Sequence, residues 1–179
     1  MKKFIVAFLF FVALTGCSTD ESKEADLKAT KKADTTVVPF TLDLSQSEFK
    51  YNSSTTKTFF YTVAGLGDIN YTMANSFYVM VIDIKNNFEK RKAYAKAAVE
   101  KFKVRGFSIL NVEEKEIKIN YDDAYEICFA GTYESKPVKF YLVVVGNYKL
   151  DLLFCGTAVT NFDSTLLEFK NIAQTLRIK

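Results

Sequence analysis

The chain contains no histidine, and this absence removes most familiar catalytic chemistry. Serine and cysteine hydrolases with a histidine base, HExxH zinc sites and most general-base catalysis near neutral pH need an imidazole. Carboxylates remain, because two acids suffice to cleave a glycosidic bond. The tightest acidic group at a predicted strand entry consists of Asp122, Asp123 and Glu126. These residues are candidate hydrolase acids or, alternatively, solvated surface carboxylates.

Motifs for nucleotides and metals are missing from the sequence as well. Gly65-Leu66-Gly67-Asp68 is a lone GxG, which is more typical of a loop than of a phosphate-binding turn. The sequence contains no P-loop, Rossmann fingerprint or Asp-rich calcium loop. We therefore predict no catalytic residue, no metal ligand and no cofactor, and we expect a protein that is not an enzyme.

The N-terminus has the pattern of an export signal. Lys2 and Lys3 precede an apolar run at residues 4–14, and small residues then lead to Cys17. A basic start, a short apolar segment and a small-residue cleavage site are the parts of a secretory signal. An apolar run of this length reaches only about half of a ~30 Å hydrocarbon core, so a membrane span does not fit.

Leu14-Thr15-Gly16-Cys17 resembles the lipobox of bacterial lipoproteins. The resemblance implies that residues 1–16 are a signal peptide, that cleavage leaves Cys17 as an acylated N-terminus, and that the lipid anchors the protein in the cell envelope. Ser18 stands where the inner-membrane retention signal has Asp, and Asp20-Glu21 is similar to a surface-export signal of Bacteroidota. We expect the outer membrane in a Gram-negative cell and otherwise the outer leaflet of the cell membrane.

Composition divides the mature chain into a tether and a domain. Residues 18–36 are mostly polar and contain few large apolar side chains. We therefore predict that residues 17–36 form a lipidated N-terminus and disordered tether. Residues 37–179 suit a single domain. Basic and acidic side chains nearly balance once the signal and its lysines are removed, and the lysines are scattered among glutamates. This surface does not favour a nucleic-acid partner.

Strand and helix patterns follow one another along residues 37–179. In the N-terminal part they predict strands at 37–44, 57–63 and 77–84, with a loop at 64–76. A helix at 86–104, ended by Gly106, comes next, and strands at 107–121, 122–132, 138–145 and 148–159 follow it. The last element is an amphipathic helix that Asn161 or Asp163 can cap. The last four strands form an antiparallel meander. Because residues 140–145 and 150–154 are apolar at nearly every position, helices must cover both faces of the sheet.

Cys128 and Cys155 form an even pair in an exported chain, which raises the possibility of a disulfide. Hairpins with Glu134 opposite Pro137 and Val145 opposite Tyr148 place the cysteines on non-neighbouring strands, about 9.6 Å apart, and on opposite faces. A disulfide needs Cα atoms within about 7 Å. We therefore predict two buried free thiols.

The order of elements, together with Ala124 early in its strand and a C-terminal amphipathic helix ending in residues 172–178, resembles the Mog/PsbP-like domains. The resemblance covers residues 37–179 and implies an α+β fold, an α/β/α sandwich around a mainly antiparallel sheet. Asp123 stands where many members have glycine, and a tryptophan common in the first strands is missing. No functional residue of the family is carried over, since fold does not transfer activity.

These observations leave three functional classes open. The first is a non-catalytic binding or accessory module of the envelope, attached through acylated Cys17 and binding an envelope protein or a small ligand. The second is a carboxylate-dependent glycan hydrolase that uses the acidic residues at 122–126. The third is a surface antigen or adhesin, since 17 Phe and 10 Tyr could present exposed rings. A cleft with opposed acids would favour the hydrolase, and an exposed apolar patch a binding protein.

Overall fold

A computed structural model describes residues 38–63, 74–85 and 87–179. The predictions for the signal peptide, acylated Cys17, the tether and most of the 64–76 loop concern residues outside these ranges. Among the helices within the ranges, none combines the length and the apolar character needed to cross a bilayer.

The described ranges contain two helices and nine strands. In chain order these are β1 (Phe40–Thr41), β2 (Phe49–Ser54), β3 (Thr58–Val63), β4 (Ser76–Ile82), α1 (Phe88–Val104), β5 (Ser108–Ile119), β6 (Asp122–Tyr133), β7 (Lys136–Gly146), β8 (Asp151–Ala158), α2 (Phe162–Gln174) and β9 (Arg177–Ile178). The helices at 86–104 and at the C-terminus, and the four-strand meander between them, lie where the sequence predicts them.

Seven strands form one antiparallel sheet in the order β2-β3-β4-β8-β7-β6-β5, and β1 pairs separately with β9. Side chains alternate across the sheet, so that Phe140 and Leu142 of β7 join the core beneath α1, whereas Tyr141 and Val143 join the core beneath α2. The predicted α+β class and α/β/α sandwich are confirmed.

Close contact between α2 and the sheet depends on a glycine in β8. Phe169 is fully buried, and a Cβ added to Gly156 would lie 2.5 Å from the Cδ2 atom of its ring. Phe169 also lies 5.3 Å from Phe49 and 6.2 Å from Phe154, measured between ring centroids. The helix is therefore part of the core, as its apolar stripe predicts.

The N-terminal strands differ from the prediction. The strand predicted at 37–44 is only Phe40–Thr41, and the following loop is held by a hydrogen bond of 2.9 Å from Asp43 N to Thr175 Oγ1. The sequence did not predict β2, because this edge strand has mostly exposed, polar residues. The sequence did not predict β9 either, because this two-residue strand is defined by its pairing with β1, close to the other end of the domain.

Two hairpin registers were predicted wrongly, and the predicted cap of α2 is confirmed in position only. Tyr133 pairs with Lys136 and Gly146 with Asp151, so the loops contain two and four residues. Asn161 is the N-cap residue of α2 at φ 48°, but its side chain makes no capping hydrogen bond. The register errors arise because a turn sequence can be shifted along its strands when only local signals are read.

Both described cysteines are free thiols; Cys155 is buried as predicted, whereas Cys128 is only half-buried. Cys128 of β6 pairs with Tyr141 of β7, and Tyr141 pairs with Gly156 of β8. Cys128 and Cys155 therefore lie on strands that are separated by β7, and their positions along those strands differ by one residue. The thiols belong to different cores, Cys128 beside α2 and Cys155 beside α1. The prediction of opposite faces is confirmed, although the register used to reach it was wrong.

Candidate functional site

Four connections lie at one end of the sheet, which we call the groove end. It consists of residues 55–57 between β2 and β3, residues 83–85 after β4, the β5–β6 turn at 120–121 and the β7–β8 loop at 147–150. The strand pairing brings them together, because Ile82 pairs with Asp151, and Gly146 pairs with Asp151 from the other side.

A groove of about 440 Å³ opens at this end. Its walls come from three segments that are distant in sequence: the start of β3, the end of β4 with the residues after it, and the β7–β8 loop. The lining residues are Lys57, Val81, Ile82, Asp83, Lys85, Asn147, Tyr148, Lys149, Leu150 and Asp151. A volume of this size is within the range of pockets for small ligands.

A buried ion pair lies at one wall of the groove. Arg91 Nε of α1 donates to Asp151 Oδ1 at 2.6 Å, and both side chains are only 3% exposed. The Arg91 Nη1 group also donates to the main-chain oxygen of Asp123 at 3.5 Å. Buried charges are tolerated when they are paired and hydrogen-bonded, so Arg91 ties α1 to β8 and β6.

Backbone geometry beside the groove makes room for this ion pair. A Cβ at Gly146 would collide with the Asp151 carboxylate and with the main-chain oxygen of Leu150, so no larger residue fits here without displacement. The Asn147 side chain then fixes the loop, since its Oδ1 accepts from Lys149 N at 2.8 Å and from Leu150 N at 3.3 Å. This local bonding gives the Lys149 backbone a defined position.

The charge of the groove is positive. Lys57, Lys85 and Lys149 are exposed, and within the described ranges no ion pair involves any of the three. Asp83 is the exposed acid of the lining, whereas the charge of Asp151 is offset by Arg91. Three ammonium groups around a cleft attract anions such as phosphate or carboxylate.

The predicted acidic group does not form a carboxylate pair. Asp123 accepts from Lys118 Nζ at 2.8 Å, and this contact lowers the pKa of the Asp123 carboxyl. Glu126 accepts from the Tyr141 hydroxyl at 2.9 Å, and burial raises the pKa of that phenol. Asp122 lies four residues from Glu126, about 13 Å along an extended strand, and Asp123 faces the other side of the sheet.

A second groove of about 290 Å³ runs along the outer face of α2. The Glu168 carboxylate beside it already accepts from Ser47 Oγ at 2.7 Å and from Glu48 N at 3.3 Å. These bonds hold the 43–48 loop on the helix. We assign this groove a structural role.

Metal ligands do not cluster in the part of the chain that the structure describes, where no group of three His, Cys, Asp or Glu residues could hold an ion. The aromatic rings serve mainly the core. Among the described aromatic residues the largely exposed rings are tyrosines, namely Tyr51 at 54%, Tyr121 at 95% and Tyr148 at 79%.

Sequence reasoning missed Arg91 and Asp151, although both left a signal. Arg91 falls on the apolar stripe of α1 between Phe88 and Ala95, where a charged residue must be buried. Asp151 is the charged residue within the apolar run at 150–154. Each of the two buried segments contains one charged residue, and the two charges have opposite signs. This pattern predicts a buried ion pair.

Comparison with known proteins shows how the protein is attached to the cell envelope. Residues 1–18 match the family model described as "Prokaryotic membrane lipoprotein lipid attachment site". The protein is lipid-anchored in the cell envelope. No curated protein matches the chain.

Solved structures resemble this lipoprotein in fold. A crystal structure from Bacteroides thetaiotaomicron has a TM-score of 0.51 and 11% identity, covering 79% of this chain and 45% of that one. The chain thus spans less than half of that protein, and the similarity shows the fold alone. The solution structure of cyanobacterial PsbP from Synechocystis also matches, with a TM-score of 0.46, 11% identity, and coverage of 74% of this chain and 93% of that one.

Proposed function

We propose that this lipoprotein is a non-catalytic binding module that holds an anionic ligand in the groove lined by Lys57, Lys85 and Lys149. The observation that carries the proposal is the convergence of these lysines, from three separate segments, on one cleft. Ammonium groups bind phosphate or carboxylate oxygens through charge-assisted hydrogen bonds, each worth about 1.5–3 kcal/mol. The ligand class is therefore a small phosphate- or carboxylate-bearing group.

The arrangement of the buried pair supports this charge preference. Because Arg91 offsets Asp151 at 2.6 Å, the acid beneath the groove does not cancel the lysines. The rigid Asn147 loop reduces the entropy lost when Lys149 is ordered by a ligand. Binding, rather than turnover, is the simplest use of a cleft whose charged side chains are mostly lysines.

The two alternative functions have less support. A glycan hydrolase needs two acids on opposite sides of the scissile bond, whereas Asp122, Asp123 and Glu126 point to different surroundings and two of them are already bound. An adhesin with many exposed rings is not favoured, because the described phenylalanines are buried or half-buried.

Binding is tested with the full-length acylated protein in neutral detergent, with inorganic pyrophosphate as the probe. Amide shifts in residues 83–85 and 147–151 should move on titration. Replacing Lys57, Lys85 and Lys149 together by Gln should weaken binding at least about tenfold, because a single charge-assisted hydrogen bond to the ligand already contributes about 1.5 kcal/mol or more.

The matched control is the triple change of Lys101, Lys103 and Lys136 to Gln, which removes the same charge at the opposite end of the sheet, where α1 ends and β7 begins. It should leave pyrophosphate binding nearly unchanged. If both triple variants weaken binding equally, the effect is one of net charge and the groove is not the site. If the wild type does not bind, the proposal is wrong.

We also propose that cleavage after Gly16 makes Cys17 the acylated N-terminus, followed by the tether at residues 17–36 and a single domain at 37–179. The agreement of the family model with the Leu14–Cys17 pattern supports this assignment. Cells grown with an alkyne fatty acid should label the wild type and Cys128→Ala equally, and should not label Cys17→Ala. Label on Cys17→Ala would contradict the assignment.

The final location is proposed from the residues after the cysteine. Ser18 in place of the retention Asp, with Asp20-Glu21 behind it, supports the outer membrane of a Gram-negative cell and, otherwise, the outer leaflet of the cell membrane. Membrane fractionation of wild type and Ser18→Asp is the test. In a Gram-negative source the substitution should shift the protein to the inner membrane, and a wild type found only there would contradict the proposal.

A further inference from the structure

Two of the exposed tyrosines lie at the groove end. Tyr121 is in the β5–β6 turn and is 95% exposed, while Tyr148 is in the β7–β8 loop and is 79% exposed. Because β6 and β7 are neighbours in the sheet, these hairpins project side by side, about 10 Å apart by strand spacing. The position of the two rings is thus set by the sheet itself.

The backbone at Tyr121 is in a conformation that disfavours a large residue. Asn120 and Tyr121 have φ values of 48° and 74°, the pattern of a type I′ turn, whose second position normally holds glycine. A bulky side chain there costs free energy and an exposed ring gains nothing from the core. The structure thus retains a strained, solvent-exposed tyrosine, which suggests a use outside the domain.

The first described residues of the chain lie at this same end. Asn120 Nδ2 donates to Leu176 O at 2.6 Å, and Lys179 N donates to Pro39 O at 3.0 Å, so the β1–β9 ribbon lies beside the β5–β6 turn. Phe40 packs on Phe59 at the start of β3, with 5.1 Å between ring centroids. Pro39 and Phe40, among the first residues that the structure describes, therefore lie at the groove end.

The side chains at the groove end match the chemistry of a lipid surface. Tyrosine is enriched at membrane–water interfaces because its ring is apolar and its hydroxyl remains hydrated. Lysines near anionic lipids each contribute about 1 kcal/mol of attraction, and Lys57, Lys85 and Lys149 surround the same end. The Lys149 Nζ lies 5.6 Å from the Tyr148 ring centroid, so a cation and a ring are presented together.

We propose that the groove end is a docking surface for the bilayer that carries the anchor, with Tyr121 and Tyr148 in the headgroup layer and an anionic phospholipid headgroup as the ligand of the lysine groove. The identity of the ligand rests on the anion binding proposed above, whereas the docking orientation rests on the tyrosines and on the position of Pro39 and Phe40 at the groove end. Lipid anchor and surface contact then act as two linked attachments.

The absence of tryptophan from the chain allows a direct test of the orientation. Tyr121→Trp and Tyr148→Trp each introduce a single tryptophan into the full-length acylated protein, which is reconstituted into vesicles of phosphatidylglycerol with brominated acyl chains. Both reporters should show a blue shift and strong quenching. The matched control is Tyr51→Trp, at an exposed tyrosine in the middle of β2, which should show neither.

Charge provides the second arm of the test. Each of Lys57→Gln and Lys149→Gln should lower the ratio of docked to undocked protein about fivefold, measured as loss of quenching at Trp reporters. Vesicles of phosphatidylcholine should give a larger loss than either substitution, because all three lysines then lose their anionic partners. Equal quenching in both lipids would overturn the assignment of an anionic headgroup.

The outcomes separate this inference from the proposed function. If pyrophosphate binds in detergent but the reporters at positions 121 and 148 are quenched no more than the one at 51, docking is wrong and the anion-binding groove stands. If neither pyrophosphate nor vesicles engage the groove end, both are wrong. If the tryptophans at positions 121 and 148 remain quenched when the lysines are replaced, an anionic headgroup is not the ligand of the groove.

Discussion

Breaking the Arg91–Asp151 pair should be among the most destabilising single changes in the domain. Arg91→Met removes the guanidinium that lies 2.6 Å from the Asp151 carboxylate, and that carboxylate is only 3% exposed. Removing one partner of a buried ion pair costs about 3–5 kcal/mol. That amount is a large part of the roughly 5–15 kcal/mol that stabilises an ordinary domain.

An exposed ion pair of similar length provides the control. Lys118 Nζ lies 2.8 Å from Asp123 Oδ1, but these side chains are 68% and 60% exposed. Lys118→Met should therefore cost less than about 1 kcal/mol, since solvent screens surface pairs. Burial, rather than distance, decides the difference between the two pairs.

Urea unfolding of the full-length protein in neutral detergent measures both effects. With a slope of about 2 kcal/mol per molar urea, Arg91→Met should lower the midpoint by about 1.5–2.5 M and Lys118→Met by less than about 0.5 M. Asp151→Asn and the Arg91→Met/Asp151→Asn double variant complete the cycle, in which the double variant should be destabilised much less than the sum of the two single variants. An additive cycle, or equal shifts for Arg91→Met and Lys118→Met, would refute the reasoning.

Three further predictions concern the core. Phe169→Ala should cost about 3–5 kcal/mol, whereas Leu167→Ala on the exposed face of α2 should cost less than about 0.5 kcal/mol, and equal thermal midpoints for the two would contradict the packing. Gly156→Ala should cost about 1–3 kcal/mol, because its Cβ would lie 2.5 Å from Phe169 Cδ2, and an unchanged urea midpoint would be the contrary result. Burial raises the pKa of the Cys155 thiol to about 12 from 9.0; the unfolded chain therefore releases the proton first, and this thiol should lower the stability by about 1.4 kcal/mol per pH unit between pH 9 and about 12. Cys155→Val should flatten that part of the profile of urea midpoint against pH.

Much of the architecture could be predicted because its signals are local. The stripes of α1 and α2 depend on residues three and four apart, and the apolar strands at 140–145 and 150–154 required cover on both faces. The edge strand β2 could not be predicted in this way, since an exposed strand has little apolar alternation and is defined by its pairing with β3.

The candidate site was the least predictable part. The acids at 122–126 are close in sequence. In an extended strand, however, Asp123 lies on the opposite face of the sheet from Asp122 and Glu126, and these two are about 13 Å apart. The lysine groove instead joins residues 57, 85 and 149, which no sequence window contains. Charged residues in buried segments, Arg91 and Asp151, were the available signal, and their pairing across 60 positions needed the fold to be known.

The sequence by itself determined the attachment to the envelope, the two helices and the strands from β3 to β8. An export signal and its cysteine are read as a short linear pattern, and helical or strand periodicity is a property of neighbouring residues. The tertiary structure alone decided the registers, the β1–β9 ribbon, the buried ion pair and the grouping of lysines and tyrosines at the groove end. These features depend on which distant segments pair and on which loops the sheet brings to the same end, and local side-chain patterns do not encode that choice.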